Sequence, residues 1–390
     1  MKIQRKTYLD QLAISVNRSR ITAILGPRQA GKTSLARDFS ARQTDEVHWF
    51  DAESHIDRAS LQDPIPVLGG LRGLVVIDEI QRLPELFQAL RVLADRESID
   101  VRFLILGSAS PDLIRGASES LAGRVEFCDL TGFRLSELEP TTKNLDALWL
   151  RGGFPMSYKA DSDQDSLAWR NNFIRTFLEQ DLRALAPRTG IDRLANFWKM
   201  LAHFHGQVWN AASLGNSLGI DAKSVSNYLE LMTKAYMVRQ LQPWTANTRK
   251  RLRKSPKIYL RDSGLLHALL GVQARAGLDT SPAKGASWEG FALEQVMGLF
   301  DLSNHDIFAW GTHGGAELDL LFTWQKKRFG VEFKVSPQGK TSKSMRIAQD
   351  ELDLAGLFVV HSGVGVRRLD TSIVELGLLS LREQVEKLTD

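Results

Sequence analysis

A chain of 390 residues, 43% hydrophobic and 25% charged, has the composition of a soluble globular protein and is too long for one ordinary core, so two or three domains are expected. The formal net charge of +4 says little about partners until the charge is located along the chain. One cysteine, Cys128, excludes an intramolecular disulfide and a cysteine zinc site, and no run approaches the ~18 apolar residues of a membrane-spanning helix. The first ten residues lack a signal-peptide apolar core, so a reducing, cytoplasmic setting away from membranes is the expectation.

Residues 1–20 predict a short helix leading into a first strand. The apolar run Ile21 to Leu25 ends at Gly26, and Gly26-Pro27-Arg28-Gln29-Ala30-Gly31-Lys32-Thr33 has the P-loop spacing G-x-x-x-x-G-K-[ST]. A buried strand precedes it and a helix beginning near Lys32, with Ser34 in its first turn, follows, which is the context the pattern needs. Glycine at 26 and 31 lets the backbone approach phosphate oxygens without a Cβ in the way. The loop N–H groups and the helix N-terminus face the anion. Lys32 reaches the β and γ phosphates and Thr33 puts its hydroxyl on Mg²⁺. No Asn-Lys-x-Asp is present, which favours ATP over GTP.

Val47 to Phe50 predicts a second strand. Leu74-Val75-Val76-Ile77-Asp78-Glu79 reads as a buried strand ending in two acids, the Walker B pattern: Asp78 for Mg²⁺, Glu79 to orient or deprotonate the attacking water. An amphipathic helix follows through Leu86, Leu90 and Leu93. Residues 102–108 predict another buried strand, whose polar end offers Ser108, with Ser110 as the fallback, in the place of an AAA+ sensor. Position alone reads Arg124 as a surface arginine after a glycine turn.

Several stretches then occur together in one order: Gly-Pro-Arg-Gln-Ala-Gly-Lys-Thr, Val-Ile-Asp-Glu-Ile-Gln, Leu-Gly-Ser-Ala-Ser, Leu-Ala-Gly-Arg, Leu-Ser-Glu-Leu at 135–138 and Gly-Gly-Phe-Pro at 152–155. Over almost its whole length the chain resembles a widespread prokaryotic group of AAA+-superfamily ATPases that carry a C-terminal domain of unknown function. The resemblance implies an ATPase engine, a winged-helix segment and a nuclease-like fold, and no known substrate. The group's Leu-Ala-Gly-Arg pattern, carried onto Arg124, implies an arginine that stabilises charge on the γ-phosphate, in cis or from a neighbouring subunit.

Residues 166–186 show helical spacing of apolar residues, closed by Pro187, and resemble the group's lid. A helix then runs from Leu194 through Phe204, and a second opens at Asn210 or Ala211 and breaks at Gly219. A third is capped by Asp221. That is a helix-turn-helix order, and strands at 236–241 and 257–260 would make a wing. Charge concentrates here. Residues 248–257 hold six Lys/Arg and no acid, and residues 221–261 hold ten Lys/Arg against Asp221 and Glu230. Lys223, Ser226, Arg249, Lys250, Arg251, Arg253 and Lys254 are the expected DNA contacts. A protein-binding winged helix is the competing reading.

In the last third a helix over 287–296 carries Glu289, a strand over 316–322 carries Asp319, and a strand over 328–335 carries Glu332 and Lys334. The set matches the PD-(D/E)xK nuclease pattern, with Glu289, Asp319 and Glu332 around Mg²⁺ and Lys334 on the attacking water. Alternation puts Glu332 and Lys334 on one face. Nuclease-like folds also survive as binding platforms, so cleavage stays open. Gln349 reads as a surface residue and 379–388 as a terminal helix.

The expectation is therefore an α/β protein. It has a P-loop AAA-type ATPase domain (1–150), a helical lid with winged helix (151–265) and a nuclease-like α/β domain (280–390). It would bind ATP and Mg²⁺ and act as a nucleotide-driven switch or motor on DNA. The competing class is an ATP-gated protein-interaction or signalling module that does not cleave DNA. AAA relatives form rings, but nothing in the residues fixes a homo-oligomer.

Overall fold

The computed structural model describes residues 3–96, 100–108, 121–183, 189–244, 255–312 and 314–389. Ser110, Pro187, Arg249, Lys250, Arg251, Arg253 and Lys254 lie outside the described residues. Two compact units divide the chain: residues 1–132 with 234–236, and residues 133–233 with 237–390. The first boundary thus falls at Gly132, earlier than the expected 150, and the second and third expected domains form one unit.

The first unit is built on a parallel five-stranded sheet. Its strands are β1 (Ile21–Gly26), β2 (Val47–Asp51), β3 (Gly73–Asp78), β4 (Val101–Ser108) and β5 (Val125–Asp129), in the order β2-β3-β4-β1-β5. In the three central strands, β3, β4 and β1, near-continuous apolar runs bury both faces, as parallel sheets require, while the edge strands β2 and β5 are partly exposed. Ile21, Ala23, Leu25, Val75, Ile77, Phe103 and Ile105 pack toward the helix Leu86–Ala94. Ile24, Leu74, Val76, Leu104 and Leu106 pack toward α1 (Lys6–Arg18) and α2 (Lys32–Ser40). All strands point the same way, so their C-terminal ends, Gly26, Asp78 and Ser108, lie along one edge.

The second unit opens with helices and closes with a sheet. The expected lid is the helix Asp163–Thr176, continuing as a π-helical turn at Phe177–Leu182. Helices Ile191–His203, Ala211–Leu218 and Ala222–Lys234 follow. Asn210 and Asp221 accept from Ser213 N (3.1 Å) and Ser224 N (2.9 Å) as caps, and Gly219 takes the left-handed conformation (φ 64°) that ends the middle helix. A small antiparallel sheet accompanies them: β6 (Gln207–Val208), β7 (Val238–Leu241) and β8 (Lys257–Leu260), in the order β6-β8-β7. The two-residue β6 is too short to show in the pattern of the sequence.

The larger sheet contains β9 (Ile307–Gly311), β10 (Glu317–Trp324), β11 (Lys327–Phe333), β12 (Gly356–His361), β13 (Val366–Arg368) and β14 (Ile373–Gly377). Their order is β13-β14-β12-β11-β10-β9. β9, β10 and β11 are antiparallel neighbours, while β11, β12 and β14 run parallel.

The helix Lys284–Phe300 explains why the middle and C-terminal segments are one body. It is buried on nearly every side, as a helix without a polar face must be. Trp288 meets Trp149 edge to face at 5.0 Å, and its Nε1 donates to the Val360 carbonyl at 3.2 Å. Gln295 Oε1 accepts from Leu135 N at 2.7 Å. One helix thus ties residues 135–149 to β12. No helix among the described residues is long and apolar enough to cross a membrane.

Candidate functional site

The phosphate loop joins β1 to α2. A Cβ on Gly26 would lie 2.1 Å from the Leu130 carbonyl oxygen, so only glycine fits. Gly31 stands at φ 95°, a region that favours glycine, and caps α2. Pro27 and Ala30 are buried, Arg28 and Thr33 half-buried, and Gln29 (φ 61°) and Ser34 exposed. Arg5, which the motifs do not point to, holds the loop from beneath: its guanidinium donates to Ala30 O (3.2 Å) and to Thr131 O (2.9 Å).

Lys32 Nζ lies over the loop, donating to Gly26 O (3.1 Å) and Pro27 O (3.0 Å). Thr33 Oγ1 donates to Asp78 Oδ2 at 2.7 Å. The residues fit a magnesium nucleotide. A hydroxyl and a carboxylate, hard oxygen donors, meet at the mouth of a loop whose glycines leave room for phosphate.

Glu79 sits just past β3 in a left-handed conformation (φ 51°), rare for a residue with a side chain and common where function holds strain. Its carboxylate accepts from Gln81 Nε2, which is also 3.1 Å from Ser108 Oγ. Gln81 therefore bridges the Walker B glutamate and the sensor-position serine. It stands in the quoted Val-Ile-Asp-Glu-Ile-Gln stretch, but the turn that folds it back toward Glu79 is not visible in the residue pattern. Gln81→Ala is expected to lower kcat about tenfold, less than the roughly hundredfold or more of a group that itself moves the proton, because Gln81 only positions Glu79. ATP binding should change less than twofold; steady-state phosphate release and fluorescent-nucleotide titration read the two separately.

For Arg124 the cis half of the expectation is corrected, and the half that places it on a neighbouring subunit's nucleotide is untouched. β5 runs parallel to β1 with Val125 opposite Ile21, so Arg124 lies at the sheet edge opposite the phosphate loop. Five residues of strand at ~3.3 Å each separate the two edges by roughly 16 Å. Its guanidinium instead clasps Asp95, Nε to Oδ1 at 2.6 Å and Nη2 to Oδ2 at 2.9 Å. A role on γ-phosphate in cis is excluded by strand direction.

A second cluster lies in the other unit, in a cavity of about 590 Å³. Asp319 of β10 and Glu332 of β11 are cross-strand neighbours, since Leu320 pairs with Val331. Lys334 Nζ donates to Glu332 Oε1 at 2.7 Å. Glu289 of the helix Lys284–Phe300 joins them through a residue counted in the sequence among the basic run of the wing. Lys257, first in β8, donates its ammonium to Glu289 Oε1 (3.0 Å) and Asp319 Oδ1 (3.1 Å) and is only 8% exposed. It is not a phosphate-contacting wing residue, because β8 turns its side chain inward.

The expected Mg²⁺ set does not fit. Asp319 Oδ2 accepts from Phe333 N (3.0 Å), and Glu289 Oε1 also accepts from Tyr259 Oη (2.5 Å). Among the described residues no three His, Cys, Asp or Glu are arranged to hold a metal ion. Burial, and then the Asp319 carboxylate, push Glu332 up to about 7, against the pull of Lys334. Burial and Asp319 likewise raise Glu289. Burial alone would lower Lys257, but Asp319 and Glu289 override it and hold the ammonium charged.

Lys223, Ser226 and Asn227 lie together on the exposed side of the helix Ala222–Lys234, whose other side buries Val225, Tyr228, Leu229 and Met232. Gln349, read as a surface residue, donates to Leu354 O at 2.7 Å and is half-buried.

A parallel sheet in this order, a glycine loop feeding α2, and Lys32, Thr33, Asp78 and Glu79 gathered at the strand ends define an AAA-type P-loop ATPase. The model of the AAA domain family matches residues 18–139. Residues 142–276 and 284–379 match two domains of unknown function, DUF8612 and DUF4143. The chain belongs to the same family as two uncharacterized mycobacterial proteins, Mb2031c of Mycobacterium bovis and Rv2008c of Mycobacterium tuberculosis. It is 47% identical to each over 363 residues, covering 93% of this chain and 81% of theirs. The fold is similar to the Walker-type ATPase PABY2304 of Pyrococcus abyssi, with a TM-score of 0.51 at 16% identity, over 69% of this chain and 96% of that one.

Proposed function

We propose that this ATPase is a nucleotide-driven switch or motor that acts on DNA. Magnesium, held through Thr33 and Asp78, would neutralise phosphate charge. Lys32 would leave the loop carbonyls for the β and γ phosphates, and Glu79, held by Gln81, would orient the attacking water.

The observation that supports DNA as the partner is the arrangement of residues 191–260. Three helices and a three-stranded antiparallel sheet follow one another in winged-helix order, and the third helix presents Lys223, Ser226 and Asn227 outward. The chain between β7 and β8 carries the basic run Arg249-Lys250-Arg251-Leu252-Arg253-Lys254. A run of cations in this part of the sequence suits phosphate contacts. In this reading the mixed sheet of residues 307–377, with Glu332-x-Lys334 on β11 and Asp319 beside it, is a nuclease-like fold.

The test is ATP turnover with and without duplex and single-stranded DNA, beside DNA binding across a salt series. DNA is expected to raise turnover, and the affinity to fall by about tenfold or more between 50 and 200 mM salt. Arg249→Ala/Arg251→Ala/Arg253→Ala should lose both effects while keeping basal turnover. If turnover ignores every DNA and the triple variant binds as wild type does, the ATP-gated protein-interaction reading takes its place.

A further inference from the structure

We propose that the Lys257 ammonium is the resident cation of the C-terminal carboxylate cluster, standing where a divalent metal would sit between Glu289 and Asp319, so that this pocket works without a metal and does not cleave nucleic acid. The inference is independent of the ATPase site and of whether the winged-helix segment binds DNA.

The geometry carries it. Nζ is 3.0 Å from Glu289 Oε1 and 3.1 Å from Asp319 Oδ1, so one donor bridges the two acids that a metal would have to share. The contact is built in. Lys257 is buried, and Tyr259, on the same face of β8, donates to the same Glu289 oxygen. Both Asp319 oxygens are already engaged, Oδ1 by Lys257 and Oδ2 by Phe333 N. An incoming divalent ion would have to displace an ammonium already held by two charge-assisted hydrogen bonds, which are stronger than neutral ones.

Charge explains what remains. Of the four acids that line the cavity, the three of the expected metal set, Glu289, Asp319 and Glu332, face two ammonium groups, Lys257 and Lys334, so within that set one carboxylate is left over. Glu332 shows it: Oε1 takes Lys334, while Oε2 is buried with no hydrogen-bond partner. A divalent ion in place of Lys257 would, together with Lys334, balance all three acids of the set; the two lysines balance two. Removing the ammonium therefore does more than open space. It leaves Glu289 and Asp319 unpaired in a buried pocket, where a divalent ion is the natural replacement.

The test uses full-length, nucleotide-free protein with Mn²⁺ as the probe, read by electron paramagnetic resonance of the free ion and by thermal melting. Wild type is expected to take up no stoichiometric Mn²⁺ and to melt at the same temperature with and without it. Lys257→Met should melt lower without metal and take up one Mn²⁺ per chain, at least about tenfold tighter than wild type, because oxygen ligands are now free. The ion should restore its melting temperature, and Lys257→Met/Asp319→Asn should lose the uptake. Three results would each overturn the proposal. One is wild type binding one Mn²⁺ per chain that Asp319→Asn abolishes. Another is wild type nicking supercoiled plasmid with Mn²⁺ in an Asp319-dependent way. The last is a folded Lys257→Met that gains no ion. If Lys257→Met does not fold, the wild-type titration decides: Asp319-dependent uptake sinks the proposal and its absence supports it.

Discussion

Glu79→Gln is expected to bind ATP as tightly as wild type and to hydrolyse it at least about a hundredfold more slowly, the scale of a positioned general base. The substitution keeps the shape and the contact with Gln81 but removes the negative charge that draws a proton from water. The left-handed backbone at Glu79 follows the end of β3, where Asp78 is fixed by Thr33 Oγ1 and by the Glu79 N–H (2.9 Å). The variant should therefore fold and load nucleotide normally. Lys32→Ala is the contrasting case. It removes the buried ammonium held over the Gly26 and Pro27 carbonyls, and nucleotide affinity should fall about a hundredfold, the worth of one or two charge-assisted hydrogen bonds. Fluorescent-nucleotide titration and phosphate release on both variants separate binding from chemistry. Near-normal turnover by Glu79→Gln would mean that the water is activated by another group.

Two buried histidines of the unit formed by residues 133–233 and 237–390 are expected to withdraw their contribution to stability as pH falls from about 6.5 toward 4, while Glu332, raised to about 7, adds to stability over nearly the same window. Two histidines are buried neutral. His267 Nδ1 donates to Leu150 O (3.0 Å), which leaves Nε2 to accept from Ser287 Oγ (2.7 Å), itself taking the indole N–H of Trp149 (3.0 Å). His205 Nδ1 accepts from Leu260 N (2.9 Å), so Nε2 donates to Ala286 O (3.1 Å). Burial lowers His267 to about 4 and His205 to about 3. Because the folded values lie below the ordinary 6.5, the unfolded chain takes up protons first as pH falls. The stability these rings contribute is complete above 6.5 and is lost on the way down to the folded values; below those, both states carry the proton and no more is lost. For His267 alone the loss is about 3 kcal/mol. Urea midpoints against pH, followed by tryptophan fluorescence, report the sum of these opposed contributions, so the histidine part is read from a variant. His267→Asn should be less stable than wild type at pH 7.5, and the gap between the two should narrow as pH falls from 6.5 to 4; a gap that stays constant would show that this ring's protonation does not contribute.

Much of the nucleotide half was legible because its signals are local. A strand, a glycine turn and a helix N-terminus are contiguous in residues 21–40, and the burial of β3 and β4 is written in unbroken apolar runs. The helices over 191–234 were legible for the same reason: their caps, Asn210 and Asp221, and their breaker, Gly219, are neighbours in sequence. The pairing of Asp319 with Glu332 across β10 and β11 followed from two strands joined by a short turn.

What the sequence by itself determined is a P-loop with its strand and helix, the alternation that puts Glu332 and Lys334 on one face, and the helix order before β7. Each depends on backbone preferences and side-chain periodicity within a few turns of chain. Tertiary structure decided the rest. Whether Arg124 stands near phosphate depended on the direction of β5 beside β1, and parallel pairing put it at the far edge, clasping Asp95. Gln81 became a bridge only when β3 and β4 brought Glu79 and Ser108 side by side. Lys257 looked like one more cation in a basic run. Its partners Glu289 and Asp319 are 32 and 62 residues away, and a buried charge is settled by whichever opposite charges the fold brings within hydrogen-bond reach, a property no local pattern records.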